Sequence, residues 1–188
     1  MSSAYDQLIY DVAIKNGFKP SAAKLIVAQA RFESADYTSN VFKNNNNTSG
    51  MKYIGQPLAT RGTLAPVSER SASCKKNGVC SDRDHYAKFQ SVADSARDKI
   101  ERNYNITMKG VTPQQLKNVE TPEEFARLLK QRGYYDDKET TYANGLKAKL
   151  LRIQIVELVE TIKKNKNTLI LGLGLVLLGV GYYIYNKK

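Results

Sequence analysis

Apolar residues recur at helical spacing through much of this chain. Between Pro20 and Glu33 they fill more than one face of a helix, at Leu25, Ile26, Val27, Ala28, Ala30 and Phe32. Ser21 follows Pro20 and is expected to cap this helix. An earlier helix is predicted from Tyr5 to Ile14, with Gly17 at its end. The pattern therefore predicts a largely buried helix that ends on a carboxylate.

Later segments carry helix start and stop signals. Thr121-Pro122 with Glu124 opens a helix that is predicted to end at Gly133. Comparable signals occur at Ser91 with Asp94 and at Thr112-Pro113 with Gln115. After Tyr142 the apolar positions predict one more helix, through Leu146, Leu150, Ile153, Leu158 and Ile162.

Residues 53–90 have a different character, because Gly, Pro, Thr, Ser and charged residues alternate there. Asn77-Gly78 is the strongest short hairpin signal in this region. We expect a β-hairpin with arms near residues 64–74 and 79–89. The predicted fold class is therefore α+β, mainly α, with a helical lobe and a small β-hairpin lobe.

The run from Thr168 to Tyr185 is uncharged and apolar. As a helix it would be about 27 Å long, close to the thickness of a bilayer core. Lysines flank it at 163, 164, 166, 187 and 188, and tyrosines lie near one end. The sequence therefore predicts one C-terminal transmembrane helix that contacts the lipid bilayer. The predicted division is a globular domain at 1–153, a helical basic stalk at 154–167, the span at 168–185 and a basic tail at 186–188.

The N-terminal residues lack the basic start and long apolar segment of a signal peptide. With the C-terminal span, this pattern predicts a tail-anchored, single-pass membrane protein. One hypothesis that fits both features is a location in the membrane of a membrane-containing virus particle.

The formal net charge is +11, which favours contact with polyanions such as anionic lipid head groups, wall polymers or nucleic acid. The lysines and arginines are spread along the chain instead of being clustered on one helix or strand that could contact nucleic acid. We therefore expect no specific nucleic-acid binding.

Cys74 and Cys80 flank the predicted hairpin turn. Two cysteines so placed predict a disulfide, which would indicate an oxidising location. Two alternatives remain open, which are free thiols and a zinc site with His85 as a third ligand. The zinc site lacks a fourth ligand at a usual spacing, so we expect no metal and no cofactor.

Glu33 stands where the predicted helix meets an asparagine-rich loop at residues 44–50. It shares a helix face with Ile26 and Ala30, so we expect its carboxyl to be partly desolvated. Desolvation favours the protonated form of a carboxyl, which is the form that donates a proton to a glycosidic oxygen. The alternative is an ordinary solvated carboxylate paired with Arg31 or a lysine.

Four separated segments occur in an informative order. They are Ala28–Ser34 with its Glu-Ser pair, the loop Asn46–Lys52, the stretch Tyr86–Ser91 with Asp94, Ser95 and Asp98, and Gly133–Asp137 with Tyr142-Ala143. Over residues 5–153 they resemble glycoside hydrolase family 73, the N-acetylglucosaminidases of the lysozyme-like superfamily. Ser49 stands where the family usually has Phe, and Ala35-Asp36-Tyr37 replaces the usual Gly and aromatic residue.

The resemblance implies a lysozyme-like fold and a hydrolase that cleaves β-1,4 bonds of peptidoglycan glycan strands. It implies that Glu33 is the catalytic acid, and it places a second carboxylate in the small lobe. Glu69 is the preferred candidate there, with Asp82, Asp84 or the substrate's own N-acetyl group as alternatives.

The resemblance also implies that Tyr135 and Tyr142 line the cleft and orient the sugar. Tyr37 is expected to supply an aromatic surface one position later than is usual in the family. Asn47 is a candidate for binding sugar hydroxyls, although asparagine also suits the tight turns of such a loop.

Two other activities remain open from the sequence. A lytic transglycosylase or a muramidase on the same fold would share the helix-terminal Glu33. A non-catalytic wall-binding protein would keep the sugar-binding lobe but would be indifferent to the loss of Glu33.

Overall fold

The computed structural model describes residues 3–164, which form eight α-helices and one two-stranded sheet. The helices are α1 (Ala4–Lys15), α2 (Pro20–Glu33), α3 (Asn40–Asn45), α4 (Ala72–Asn77), α5 (Val92–Lys99), α6 (Pro113–Asn118), α7 (Pro122–Arg132) and α8 (Glu139–Lys164). The strands are β1 (Ala59–Leu64) and β2 (His85–Phe89). A π-helical turn, Ile100–Tyr104, continues directly from α5.

Most helix ends follow the local signals in the sequence. Thr112 forms a capping box with Gln115, and the Thr121 hydroxyl accepts a hydrogen bond from the Glu124 backbone. Gly133 ends α7 in the left-handed conformation, with φ of +75°, which glycine adopts without steric cost. These predicted boundaries are confirmed.

The predicted cap of α2 is wrong by two residues. Lys19 is the N-cap, and Pro20 is already the first residue of the helix, where a missing N–H costs nothing. The Ser21 hydroxyl instead donates to the backbone oxygen of Val119, 3.3 Å away.

Helix α2 lies at the centre of the helical lobe. It packs against α1 and α8. Helix α7 also packs against α8, and α5 packs against α1. Leu25, Ile26 and Val27 are fully buried, which explains why the apolar residues of α2 fill more than one face. The core that encloses α2 fixes the position of its last residue, Glu33.

The sheet is antiparallel and short. Ala59 pairs with Phe89 and Leu64 pairs with His85, with an irregular register between Arg61 and Leu64. A side chain at Gly62 would meet the Asn45 amide oxygen and the backbone of β2, so the close approach requires glycine. Helix α3 thereby packs directly onto the small lobe.

The predicted hairpin is wrong in its turn and in its first arm. Strand β1 ends at Leu64, where the first arm was expected to begin, and only the second predicted arm, 79–89, contains a strand, β2. Asn77-Gly78 ends α4, and Gly78 has φ of +70° as the C-cap of that helix. Ser71 caps the start of α4 by accepting from the Cys74 backbone. The strands are therefore shorter than predicted and are joined by a long folded segment, residues 65–84.

The predicted fold class is corrected in one further respect. No helix between residues 3 and 164 is long and apolar enough to cross a membrane. The described fold is mainly helical α+β with a small two-stranded sheet, and a transmembrane helix is not one of its elements. The predicted span, residues 168–185, and the bilayer contact that was inferred from it lie outside the described residues.

Candidate active site

Glu33 is the last residue of α2, and the chain turns sharply after it. The Ser34 hydroxyl donates to the Ala30 backbone oxygen at 2.6 Å and accepts from the Tyr37 backbone at 3.0 Å. Ala35, Asp36 and Tyr37 all have left-handed backbone conformations, with φ of 52°, 54° and 66°. Residues other than glycine rarely adopt this conformation, because it crowds the Cβ atom.

This turn is fixed by ion pairs to neighbouring helices. The Asp36 carboxylate lies 2.7 Å from Lys149 Nζ on α8 and 3.2 Å from Arg31 on α2. Arg31 also pairs with Asp6 of α1, 2.7 Å away. Burial would raise the pKa of Asp36, but the cations around it together lower it. The end of α2 is therefore tied to both α1 and α8.

Four hydrogen-bond donors converge on the Glu33 carboxylate, which is only 14% exposed. Oε1 accepts from Tyr142 Oη at 2.7 Å and from Gln29 Nε2 at 2.9 Å. Oε2 accepts from Tyr134 Oη at 3.0 Å and from Lys99 Nζ at 3.1 Å. Polar donors from four parts of the chain thus surround the carboxylate, where the sequence predicts apolar neighbours.

A second layer holds these donors in place. Gln29 is fully buried, accepts from the Tyr104 hydroxyl and also donates to Tyr142 Oη at 2.8 Å. The Tyr135 ring stacks on the Tyr142 ring with 4.0 Å between centroids. Tyr135 is itself anchored, because its hydroxyl donates to the Ala126 backbone oxygen. Such a connected network restricts the orientation of Glu33.

Burial also determines the protonation of the donors. It raises the pKa of Tyr134, Tyr142 and Tyr104, and the negative charge of Glu33 raises each of them further. These hydroxyls therefore remain protonated donors at neutral pH. Burial lowers the pKa of Lys99, and the Glu33 carboxylate partly opposes that shift.

The preferred second carboxylate, Glu69, lies in a short 3₁₀ turn that follows β1. It accepts from Lys52 Nζ at 2.7 Å and from Tyr86 Oη at 2.9 Å, and its side chain is 46% exposed. The hydrogen bond from Lys52 is the main cause that lowers the pKa of Glu69. Lys52 Nζ also lies 4.1 Å from the centre of the Tyr86 ring.

The two alternative carboxylates have other surroundings. Asp84 is buried and accepts from the backbone N–H and the hydroxyl of both Ser71 and Ser81, so its pKa is far below its usual range. These hydrogen bonds hold together the two ends of residues 71–84, within the segment that joins the strands. Asp82 is exposed and lies 3.5 Å from Arg61. The contacts of Asp84 indicate a structural role, and Asp82 stays an alternative to Glu69.

Cys74 and Cys80 form a disulfide with 4.3 Å between their Cα atoms. Cys74 lies in α4, and Cys80 lies in the loop that follows. The disulfide therefore closes the inserted segment of the small lobe instead of bridging the tip of a hairpin.

The remaining predicted binding residues separate into two groups. Tyr142 bonds to Glu33, and Tyr135 reaches the site only by stacking on Tyr142. Asn47 is buried, and its amide bonds to the backbone of Met51 and Ala87, which shapes the loop before β2. Tyr37 is also buried, and its hydroxyl donates to Asp6 at 2.8 Å. The contacts of Asn47 and Tyr37 indicate structural roles, and their part in sugar binding stays a prediction.

Sequence reasoning missed three of the four donors to Glu33. Gln29 was discoverable, because it lies one helical turn before Glu33 on the same face. Tyr134 lies next to Tyr135 in the Gly-Tyr-Tyr segment, and the sequence does not indicate which of the two tyrosines contacts Glu33. Lys99 gives no local signal, since a lysine that is 2% exposed cannot be distinguished in sequence from a surface lysine.

Three solved structures of similar shape are described as an autolysin, a peptidoglycan hydrolase and an effector–immunity complex. The catalytic domain of the autolysin Auto from Listeria monocytogenes is 23% identical, with a TM-score of 0.51, and the match covers 84% of this chain and 89% of that one. A peptidoglycan hydrolase mutant from Sphingomonas sp. A1 is 20% identical, with a TM-score of 0.50, and the match covers 82% and 96%. At this level of identity, the similarity demonstrates the shared fold.

A third structure is a type VI secretion system effector–immunity complex from Pseudomonas protegens. It is 17% identical, with a TM-score of 0.51, and the match covers 80% of this chain and 91% of that one. Comparison with curated protein sequences gives no significant match.

The family comparison is more specific than the structural one. Residues 7–154 match the sequence model of the glucosaminidase family, described as mannosyl-glycoprotein endo-beta-N-acetylglucosaminidase. The match includes Glu33, its four donors and Glu69, and it extends over more than half of the chain. The chain therefore belongs to the glucosaminidase family.

Proposed function

We propose that this protein is a glycoside hydrolase that cleaves the β-1,4 bonds of peptidoglycan glycan strands. Cleavage occurs on the reducing side of N-acetylglucosamine, which makes the enzyme an endo-β-N-acetylglucosaminidase. Glu33 is the general acid. The single observation that supports a catalytic role most directly is the place of Glu33 at the end of a buried helix inside the matched glucosaminidase region, where four donors fix the position of its carboxylate.

The proposed chemistry begins with proton transfer. Protonated Glu33 delivers its proton to the glycosidic oxygen, the bond from that oxygen to C1 breaks, and positive charge develops on the sugar ring. Tyr142 and Gln29 hold Oε1 at 2.7 and 2.9 Å, which leaves the carboxyl little freedom to rotate. A fixed proton donor lowers the entropic part of the barrier.

Glu69 is the proposed second carboxylate. Its charged form is favoured by Lys52 and Tyr86, which lower its pKa, so it is an anion at neutral pH. An anion in the small lobe would stabilise the positive sugar and activate the water that attacks C1. At 46% exposure it has access to solvent water.

The proposed substrate class follows from the family and from charge. Family membership supports a glycan that contains N-acetylglucosamine. Two of the structurally similar proteins are described as an autolysin and a peptidoglycan hydrolase. The net charge of +11 favours association with bacterial walls, which contain anionic polymers.

The test is fragment analysis of purified peptidoglycan after incubation with the full-length protein. Mass spectrometry of the released fragments identifies the new chain ends. We expect reducing N-acetylglucosamine ends with the wild-type protein, and we expect none with Glu33→Gln. Glu123→Gln is the matched control, because Glu123 is an exposed glutamate on α7 that pairs only loosely with Lys147 at 3.6 Å.

Other outcomes would identify other activities. Fragments with 1,6-anhydro ends would indicate a lytic transglycosylase, and reducing N-acetylmuramic acid ends would indicate a muramidase. Binding to peptidoglycan without any release of fragments, and with equal binding by Glu33→Gln, would contradict the proposal and would support a wall-binding protein.

A further inference from the structure

The two oxygens of the Glu69 carboxylate have different surroundings. Oε2 accepts from both Lys52 Nζ, at 2.7 Å, and Tyr86 Oη, at 2.9 Å. Within residues 3–164, no donor bonds to Oε1. The Glu33 carboxylate differs in this respect, because each of its oxygens accepts two hydrogen bonds. Glu69 is therefore held at one oxygen and open at the other.

The backbone fixes Lys52 beside Tyr86. The residues on either side of Lys52 make two backbone hydrogen bonds with β2, each 2.9 Å long. Residues 51–53 therefore run beside β2, and Lys52 is paired antiparallel with Tyr86. Directly opposed residues on antiparallel strands place their side chains on the same face. Lys52 Nζ consequently lies over the Tyr86 ring, in a cation–π contact, while both side chains bond to Glu69.

The loop before Lys52 is anchored to the helical lobe. The Thr48 backbone N–H donates to the Ser95 hydroxyl of α5 at 3.1 Å, and both residues are buried. The Asn47 amide donates to one backbone oxygen on the same loop and to another on β2. The position of Lys52 is therefore determined by α5 as well as by the sheet.

The turn that carries Glu69 has little packing of its own. None of the residues Val67–Glu69 is buried. In the part of the chain that the structure describes, Lys52 and Tyr86 are the side chains that bond to the Glu69 carboxylate. The orientation of Glu69 therefore depends on these two contacts.

Tyr86 remains a hydrogen-bond donor at neutral pH. Burial, together with the hydrogen bond to Glu69 and the charge of that residue, raises the pKa of Tyr86 to about 12. A hydrogen bond from a cation to a carboxylate is stronger than one from a neutral group. Lys52 is therefore the stronger of the two contacts, and Tyr86 is the weaker.

We propose that Lys52 and Tyr86 are positioning residues, which hold Glu69 by Oε2 so that Oε1 is the oxygen that reacts. Oε1 takes a proton from the attacking water as the water oxygen bonds to C1. The bond from C1 to the glycosidic oxygen breaks, and that oxygen keeps the electron pair and takes up the proton of Glu33. A carboxylate held at one oxygen keeps the other in one direction, which lowers the entropic part of the barrier. This proposal rests on the proposed function, in which Glu69 is the second carboxylate.

The test measures the rate at which the full-length protein releases reducing ends from peptidoglycan. In Lys52→Met, kcat should fall by about 10-fold while KM stays within about twofold, because Lys52 orients Glu69 and does not bind the glycan. Tyr86→Phe removes the hydroxyl but keeps the ring under Lys52, so it should lower kcat by about 3-fold. Lys52→Arg keeps a charged donor, and its kcat should stay within about 3-fold of the wild type. An unchanged kcat in Lys52→Met, or a loss confined to KM, would overturn the proposal.

Lys24→Met is the matched control. Lys24 forms an ion pair of the same kind, 2.6 Å from Glu157, and its side chain is 28% exposed, against 29% for Lys52. It lies nine residues before Glu33 on α2, which is about 13 Å along the helix axis. The kcat of Lys24→Met should equal that of the wild type.

A double variant separates positioning of Glu69 from a general structural role. Because Lys52 acts through Glu69, the kcat of Lys52→Met/Glu69→Gln should equal that of Glu69→Gln alone. A residue that only supports the fold would instead multiply the two losses, and that outcome would contradict the proposal. If Lys52→Met does not fold, judged by circular dichroism, Tyr86→Phe with and without Glu69→Gln makes the same comparison at the same oxygen.

A substrate-free measurement distinguishes failure of this proposal from failure of the proposed function. The urea midpoints of Lys52→Met, Glu69→Gln and the double variant are measured at pH 7. If Lys52 holds Glu69, the shift in the double variant should be smaller than the sum of the two single shifts. If the wild type releases no fragments, the proposed function fails, while the midpoints still decide whether Glu69 is held. Shifts that add would show that Lys52 does not hold Glu69, even in an active enzyme.

Discussion

Glu33 and Glu69 are chemically the same side chain in two different surroundings. Glu33 is 14% exposed and is held by four donors from α2, α5, α8 and the loop after α7. Glu69 is 46% exposed and is held by two donors from the small lobe, Lys52 and Tyr86. The first carboxylate is fixed by the core of the molecule, whereas the second lies on a short turn near solvent.

The difference matches the two tasks proposed for them. A proton donor must meet one oxygen in one geometry, so an enclosed network serves it well. A carboxylate that interacts with a sugar cation or a water tolerates more freedom, and it needs contact with solvent. Changes around Glu33 should therefore be costly to both activity and stability, while similar changes around Glu69 should be milder.

The largest expected difference is in catalysis itself. Glu33→Gln keeps the shape of the side chain but removes the acid, so the rate should fall by about 10³-fold or more. The rate of Glu69→Gln should fall less than that of Glu33→Gln, by about 10- to 100-fold. Solvent or the substrate's N-acetyl group can replace part of the role of Glu69. Release of reducing ends measures both rates. A larger loss for Glu69→Gln than for Glu33→Gln would reverse the proposed roles.

The next comparison concerns two tyrosine hydroxyls. Tyr142→Phe leaves Glu33 Oε1 and Gln29 each without one buried partner, which should lower the free energy of unfolding by about 1 to 3 kcal/mol. Tyr86→Phe removes a hydrogen bond to the more exposed Glu69 and should lower the free energy of unfolding by about 1 kcal/mol or less. Urea unfolding at neutral pH measures both. Equal losses would show that enclosure does not distinguish the two sites.

The ion pair between Lys52 and Glu69 gives a smaller, pH-dependent effect. Lys52 lowers the pKa of Glu69, so the pair stabilises the fold above the unfolded pKa of Glu69, and this contribution is lost as the pH falls through the lower folded value. Lys52→Met should therefore cost about 0.2 to 1 kcal/mol at pH 7, a small value because the pair is partly exposed.

At low pH the free energy of unfolding of Lys52→Met should approach that of the wild type. Below the lowered pKa that Glu69 has in the folded protein, the carboxyl is protonated in both states, and the remaining difference reflects only the contact of Lys52 with the Tyr86 ring. Urea unfolding at both pH values, with and without added salt, makes the comparison. A loss that is independent of pH would contradict the assignment of the effect to the ion pair.

The two sites also differ in what the sequence could predict. Glu33 was predictable because the helix periodicity and the Glu-Ser pair are local signals. The Asn77-Gly78 prediction failed because a left-handed glycine serves both a hairpin turn and a helix C-cap, and here it ends α4. Lys99 was not predictable, since its burial depends on contacts between residues that are 66 positions apart.

The smallest expected effect concerns the backbone next to Glu33. Ala35 has φ of 52° in the left-handed turn, whereas within residues 59–89 this conformation is taken by a glycine alone, Gly78. Ala35→Gly should raise the free energy of unfolding by about 0.5 kcal/mol, because relief of the crowded Cβ slightly exceeds the added freedom of the unfolded chain. Urea unfolding measures the change.

A matched variant tests whether the effect is local to that turn. Ala72→Gly in α4, next to the disulfide of the small lobe, places glycine where the backbone is helical and should lower stability by about 0.5 to 1 kcal/mol. Opposite signs for the two alanines would show that the turn after Glu33 stores backbone strain that the small lobe avoids. A loss of stability in Ala35→Gly would instead mean that the added freedom of the unfolded chain exceeds the relief of that strain.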